Sequence, residues 1–242
     1  MLMNDIHKKS NPFQRTSEVL KAISQDRIRT NLLRKYEHRA LAFFVQRIPS
    51  RISSDMLTAI GFFGNIIVFL SFILAAYIHK NYLLLGFLGF AISWFGDSLD
   101  GRVAYFRNIP RKQYGFVLDI TIDWMSIILI GYGYIIYSEG IWELLGYGFV
   151  VMYGWEMIIA LMRYKITGKY SIDSGKMGPT EVRIVISAIL AAEVLFQDSL
   201  IYSAAILCVI LLFVNIGDTR KLLKIADKTD IKEKMKLHVE ND

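Results

Sequence analysis

One cysteine in 242 residues rules out an intramolecular disulfide framework. That residue, Cys208, falls within the last long apolar run and reads as a small packing side chain rather than a reactive thiol. Charge is sparse as well, at 21% of the chain. A cleavable signal peptide is not expected, because the opening stretch is polar and basic and has no short apolar core. No internal repeat stands out, and no stretch reads as a separate soluble domain. The formal net charge of +6 does not point to nucleic acid as a partner. Its cations gather beside apolar runs, where membrane topology and anionic headgroups account for them.

What the chain has in quantity is apolar length. Hydrophobic residues make up 54% of it, and they gather into runs near the length that crosses a bilayer, about 20 residues. The expected spans are Leu57–Ile78, Tyr82–Arg107, Gly115–Ser138, Ile141–Tyr164, Glu181–Phe196 and Leu200–Ile216. Of the 28 Lys and Arg residues, all but Lys80 lie in the N-terminal segment, around the second and fourth connections, or in the C-terminal tail. By the positive-inside rule, both termini and the second connection face the cytoplasm, which suits an even number of spans. The expected fold is therefore an all-α integral membrane protein with six transmembrane helices, multi-pass in the inner (cytoplasmic) membrane. Its expected organisation is an N-terminal segment over 1–53, a six-helix membrane domain over 54–218 and a charged cytoplasmic tail over 219–242.

Within the N-terminal segment, Asn31 to Arg47 repeats apolar positions at helical spacing among cations. The pattern predicts an amphipathic helix. It lies either in the membrane interface, apolar side down, or against the protein's own core. Pro49 breaks it, and Ser53, Ser54 and Asp55 supply N-cap candidates for the first span.

Against this oily background four aspartates crowd into one stretch: Asp97 and Asp100, then Asp119 and Asp123. Ionised carboxylates are costly at or near a hydrocarbon layer, so a cluster of them needs partners. Residues three and four apart share a helix face, so each pair projects one way. Two such faces turned toward each other make a four-carboxylate pocket suited to hard divalent cations. An aspartate at a helix end also serves as an N-cap, and that reading stands for either pair taken alone. Gly101, Ala104 and Gly115 between the pairs allow close approach of helices and ligand. Arg107, Arg111 and Lys112 bring positive charge beside the site, as a phosphate-bearing substrate requires, although linkers of membrane proteins are often basic anyway.

Asp97-x-x-Asp100-Gly101-x-x-Ala104, nine residues after position 105, then Gly115-x-x-x-Asp119-x-x-x-Asp123 resembles the signature of the CDP-alcohol phosphotransferase (CDP-alcohol phosphatidyltransferase) family. The resemblance extends over about residues 50–216, and a narrower one is to bacterial members with a start like Phe95-Gly-Asp-Ser-Leu-Asp-Gly101 and a segment like Gly178–Glu181. It implies an enzyme of phospholipid synthesis. Two divalent ions, Mg²⁺ or Mn²⁺, are then held by Asp97, Asp100, Asp119 and Asp123, and Asp123 is the general base on the acceptor hydroxyl. Asp100, Gly101, Ala104, Gly115 and Arg107 line the nucleotide site. The implied partners are a CDP-linked lipid, a polar alcohol, the lipid bilayer and, as is common in that family, a second copy of the chain. The family pattern has Arg where this chain has Tyr105. Arg102 and Arg107 are the candidates to replace it, and an inactive or substrate-shifted relative is the alternative.

A second polar set is the candidate for the acceptor. Glu156 lies inside the fourth span, where a carboxylate is a functional candidate by default. Lys169, Lys176 and Arg183 surround the next connection and suit a phosphorylated acceptor such as inositol phosphate or glycerol phosphate. A positive-inside loop with a proline turn explains the same cations. The alternatives to a phosphatidyl transferase are a CDP-choline or CDP-ethanolamine phosphotransferase acting on diacylglycerol, and a cation-binding transporter.

Overall fold

The computed structural model of the protein describes residues 34–168 and 179–240. These residues form helices and no strand. The helices are α1 (Arg34–Val45), α2 (Ser54–Tyr77), α3 (Leu85–Phe106), α4 (Lys112–Tyr137), α5 (Glu143–Thr167), α6 (Pro179–Leu195) and α7 (Ser199–Glu240). Short 3-10 turns at Lys80–Leu84 and Gly140–Trp142 lead into α3 and α5. With those turns included, α2, α3, α4, α5 and α7 are long and apolar enough to cross a membrane. The expected fifth span, α6, has 17 residues. At about 26 Å it is shorter than a hydrocarbon core of about 30 Å.

Local chemistry explains the helix ends. Ser53 caps α2 as expected, its hydroxyl accepting from the Met56 N–H at 3.1 Å. Asn108, at φ 58°, takes the left-handed turn that ends α3, and Pro110 follows where a helix cannot continue. Gly168, at φ 68°, closes α5 in the same way.

The bundle is tightest between α2 and α3. A Cβ added at Gly96 would lie 2.3 Å from the Gly61 nitrogen, and one at Gly64 would lie 2.4 Å from the Ser93 nitrogen. Only glycine lets these backbones come so close. Asn65 of α2 donates to the Ser126 hydroxyl of α4 at 2.7 Å, which ties α4 to α2 beside α3. Around this frame Val68, Phe72, Phe90, Ile130, Tyr134 and Leu190 form the main core.

The N-terminal helix turns its apolar side to the protein. Leu41, Ala42 and Val45 of α1 are buried against Leu57, Leu99 and Val103, which favours the second of the two expected placements. A larger departure lies at the other end. The helix α7 runs unbroken for 42 residues, about 63 Å, through the expected boundary at 218 and into the charged tail. The tail starts as an extension of the bundle, since Asp218 and Leu222 are still buried.

Candidate active site

Asp97 and Asp100 project from the end of α3, and Asp119 and Asp123 from the first half of α4. The short 107–111 loop turns the chain back so that the two faces meet. One carboxylate oxygen each from Asp97, Asp119 and Asp123 lie within 4.8 Å of one another. Asp100 lines the same cleft but is held elsewhere. Its Oδ2 accepts from the Thr58 hydroxyl of α2 at 2.8 Å, while the Gly101 N–H donates to its Oδ1. Ser54 donates to the Asp100 carbonyl at 2.9 Å. Like charges this close repel unless countered. One counter-charge among the described residues comes from α6, where Arg183 Nη2 donates to Asp97 Oδ2 at 2.8 Å.

The clustered ligands among the described residues are carboxylate oxygens, which fit a hard divalent cation such as Mg²⁺ or Mn²⁺ and do not suit a thiophilic one. The inner wall is also polar. Ser93, one helical turn before Asp97, is fully buried, and its hydroxyl has no hydrogen-bond partner among the described residues.

The expected nucleotide and phosphate residues divide. Ala104 is buried, and a Cβ at Gly115 would meet nothing within 4 Å, so internal packing does not demand glycine at 115. Arg107 is committed to the turn after α1. It donates to the carbonyls of Ile52 at 2.6 Å, Pro49 at 2.8 Å and Ile48 at 3.3 Å, and it is not among the residues lining the cleft. Arg102 is buried and donates to the Ser98 carbonyl. Arg111 pairs with Asp55 and stacks on Tyr114. The Asp55 hydrogen bond raises its already high pKa, so it stays charged. Lys112 lies over the Tyr105 ring, 5.9 Å from its centroid, and so brings a cation to the position where the family pattern has arginine.

Of the acceptor candidates, Arg183 reaches the aspartates, whereas Glu156 lies on α5 facing α7. Lys169 and Lys176 fall outside the described residues. Sequence reasoning took Ser54 only as a cap candidate and gave no site role to Thr58 or Asn65. Their signal was present: with Gly61 they recur at helical spacing along one face of an otherwise apolar span.

Residues 51–215 match the model of the family described as CDP-alcohol phosphatidyltransferase. No curated protein matches the chain.

Proposed function

Because the chain belongs to the CDP-alcohol phosphatidyltransferase family, we propose that it transfers a phosphatidyl group from CDP-diacylglycerol to a polar alcohol, releasing CMP. The observation that carries this reading is the carboxylate trio of Asp97, Asp119 and Asp123, gathered from two helices and countered by Arg183. These residues, with Asp100, would hold divalent ions, whose charge would neutralise the donor's pyrophosphate.

Asp123 takes the proton from the acceptor hydroxyl. The acceptor oxygen then forms a bond to the lipid-linked phosphorus while the bond from that phosphorus to the CMP oxygen breaks. Arg183 is placed to accompany the negative charge of the phosphates. Gly101, Ala104 and Gly115 leave room for the nucleotide. A site at the cytoplasmic edge of the inner membrane lets the lipid enter from the bilayer while CMP leaves into water.

The test uses the purified full chain in lipid nanodiscs with Mn²⁺, a panel of alcohols and CDP-diacylglycerol, with CMP release as the readout. CDP-choline and CDP-ethanolamine with diacylglycerol run alongside. CMP release from CDP-diacylglycerol that is lost in Asp123→Asn is expected. Release only from the CDP-headgroup donors would move the protein to that donor class, and no release from any donor would sink the transferase reading.

A further inference from the structure

The aspartate cleft has a second, deeper level. Ser93 of α3 lies one turn before Asp97, Asn65 of α2 two turns after Thr58, and Ser126 of α4 about one turn after Asp123. Each is thus nearer the middle of its helix than the carboxylates are. Ser93 and Asn65 line the same cleft as Asp97, Asp119, Asp123 and Arg183. Ser126 stands behind them, its hydroxyl accepting from Asn65 Nδ2 at 2.7 Å and donating to the Ile122 carbonyl at 2.7 Å.

This floor holds one unmet hydroxyl and one acceptor. Ser93 is 0% exposed, and its Oγ has no hydrogen-bond partner among the described residues. Ser126 satisfies its own hydroxyl on the carbonyl four residues back, a bond that Ser93 does not make. Nor can Ser93 shift to find a partner, because a Cβ at Gly64 of α2 would already lie 2.4 Å from its nitrogen. With Asn65 Nδ2 turned to Ser126, the other end of the amide is an acceptor, Oδ1. A buried hydroxyl left unsatisfied costs free energy, and the polar space beside Ser93 is the cleft.

Size limits what can enter. The cleft measures about 240 Å³ with its mouth included, and the free space among its walls is about that of one water.

We propose a second activity: the floor holds a water that competes with the alcohol, so that the protein also hydrolyses its CDP-linked lipid. The inference rests on the transferase reading above. The water donates one proton to Asp123 and one to Asn65 Oδ1 and accepts from Ser93, the three bonds typical of a buried water. An alcohol oxygen has a single proton to donate and brings a carbon with it, so the floor suits water better. In the reaction the water oxygen bonds to the lipid-linked phosphorus, and the bond from that phosphorus to the CMP oxygen breaks, its electron pair leaving on CMP. One water proton passes to Asp123 and the other stays on the new phosphate oxygen. The products are phosphatidate and CMP.

The experiment gives the purified full chain, in lipid nanodiscs, CDP-diacylglycerol and Mn²⁺ in isotope-labelled water (H₂¹⁸O), with and without the alcohol panel. Without alcohol, CMP release is expected together with phosphatidate carrying one labelled oxygen, and both should vanish in Asp123→Asn. Ser93→Ala is expected to lower this hydrolysis about tenfold, the effect of one lost hydrogen bond. Its Mn²⁺ affinity, read by electron paramagnetic resonance, should match wild type and show the carboxylates in place. The label on the wild-type product decides the activity by itself. CMP release with an alcohol but no labelled phosphatidate without one overturns the inference and leaves the transferase reading standing. Hydrolysis undiminished in Ser93→Ala, or persisting in Asp123→Asn, overturns it as well. No CMP release under either condition overturns both readings.

Discussion

Arg183 of α6 donates to Asp97 of α3 at 2.8 Å although 86 residues separate them along the chain. Both side chains are largely buried, 15% and 24% exposed. The bond gives the carboxylate cluster a counter-charge and at the same time ties α6 to the α3–α4 pair. Neutralising Arg183 therefore leaves Asp97 among other carboxylates with less compensation. Arg183→Gln is expected to lower stability by about 1–3 kcal/mol, discounted for partial exposure. Thermal unfolding in micelles should show the loss, and excess MnCl₂ should recover part of it, because an ion bound to the folded state alone stabilises that state. An unaltered melting temperature would contradict the role.

The three clustered carboxylates are expected to act as a unit on metal binding. Asp97→Asn, Asp119→Asn and Asp123→Asn should each weaken Mn²⁺ binding measured by paramagnetic resonance. Asp123→Asn should also lower CMP release by at least about 10²-fold, the smaller end of what a general base contributes. A variant at position 123 with wild-type turnover would remove Asp123 from the proton-transfer step.

Asp100 depends on a different partner. Thr58→Val removes the hydroxyl that donates to its Oδ2, with both residues under 9% exposed. The unsatisfied carboxylate oxygen should cost about 1–3 kcal/mol. Thr58→Ser keeps the donor and should recover most of the loss. Denaturant titration of the two variants separates the hydroxyl from the lost methyl packing.

Two glycines should respond in opposite ways. Gly96→Ala would drive a methyl into the Gly61 nitrogen and the Leu57 carbonyl, and overpacking of this kind costs about 1–3 kcal/mol or more. Gly115→Ala meets nothing in the protein, and replacing glycine within a helix stabilises it by about 0.5–1 kcal/mol. If the nucleotide uses that space, the same Gly115→Ala variant raises the KM for the CDP donor without loss of fold. Melting curves and donor titrations distinguish the two effects.

Much of this architecture was legible in the chain. The apolar runs located four long helices within a few residues at both ends, and the start of a fifth whose end they missed, because bilayer thickness imposes a length that composition reveals. The aspartate pairs were legible because helical spacing alone determines which residues share a face. Other features depend on contacts between distant segments. Glu193, one carboxylate within the expected fifth span, is buried and accepts from the Tyr137 hydroxyl at 2.9 Å and the Leu200 N–H at 2.7 Å. It thereby joins α4, α6 and the start of α7. Arg107 looked like a phosphate ligand by position and instead holds three backbone carbonyls. A guanidinium takes whichever acceptors the fold places within its reach, and spacing along the chain does not say which those are.

The sequence by itself determined the helices and the pairing of the aspartates, since both follow from periodicity and local turn chemistry. Tertiary structure decided how the site is completed. Glycine contacts set α3 against α2 closely enough for Thr58 to reach Asp100, and α6 delivers Arg183 to Asp97. The packing of α7 on α5 lets Asn215 donate to the Met152 carbonyl. Helix faces are written in residue spacing, whereas which faces meet depends on how closely all the backbones can pack at once.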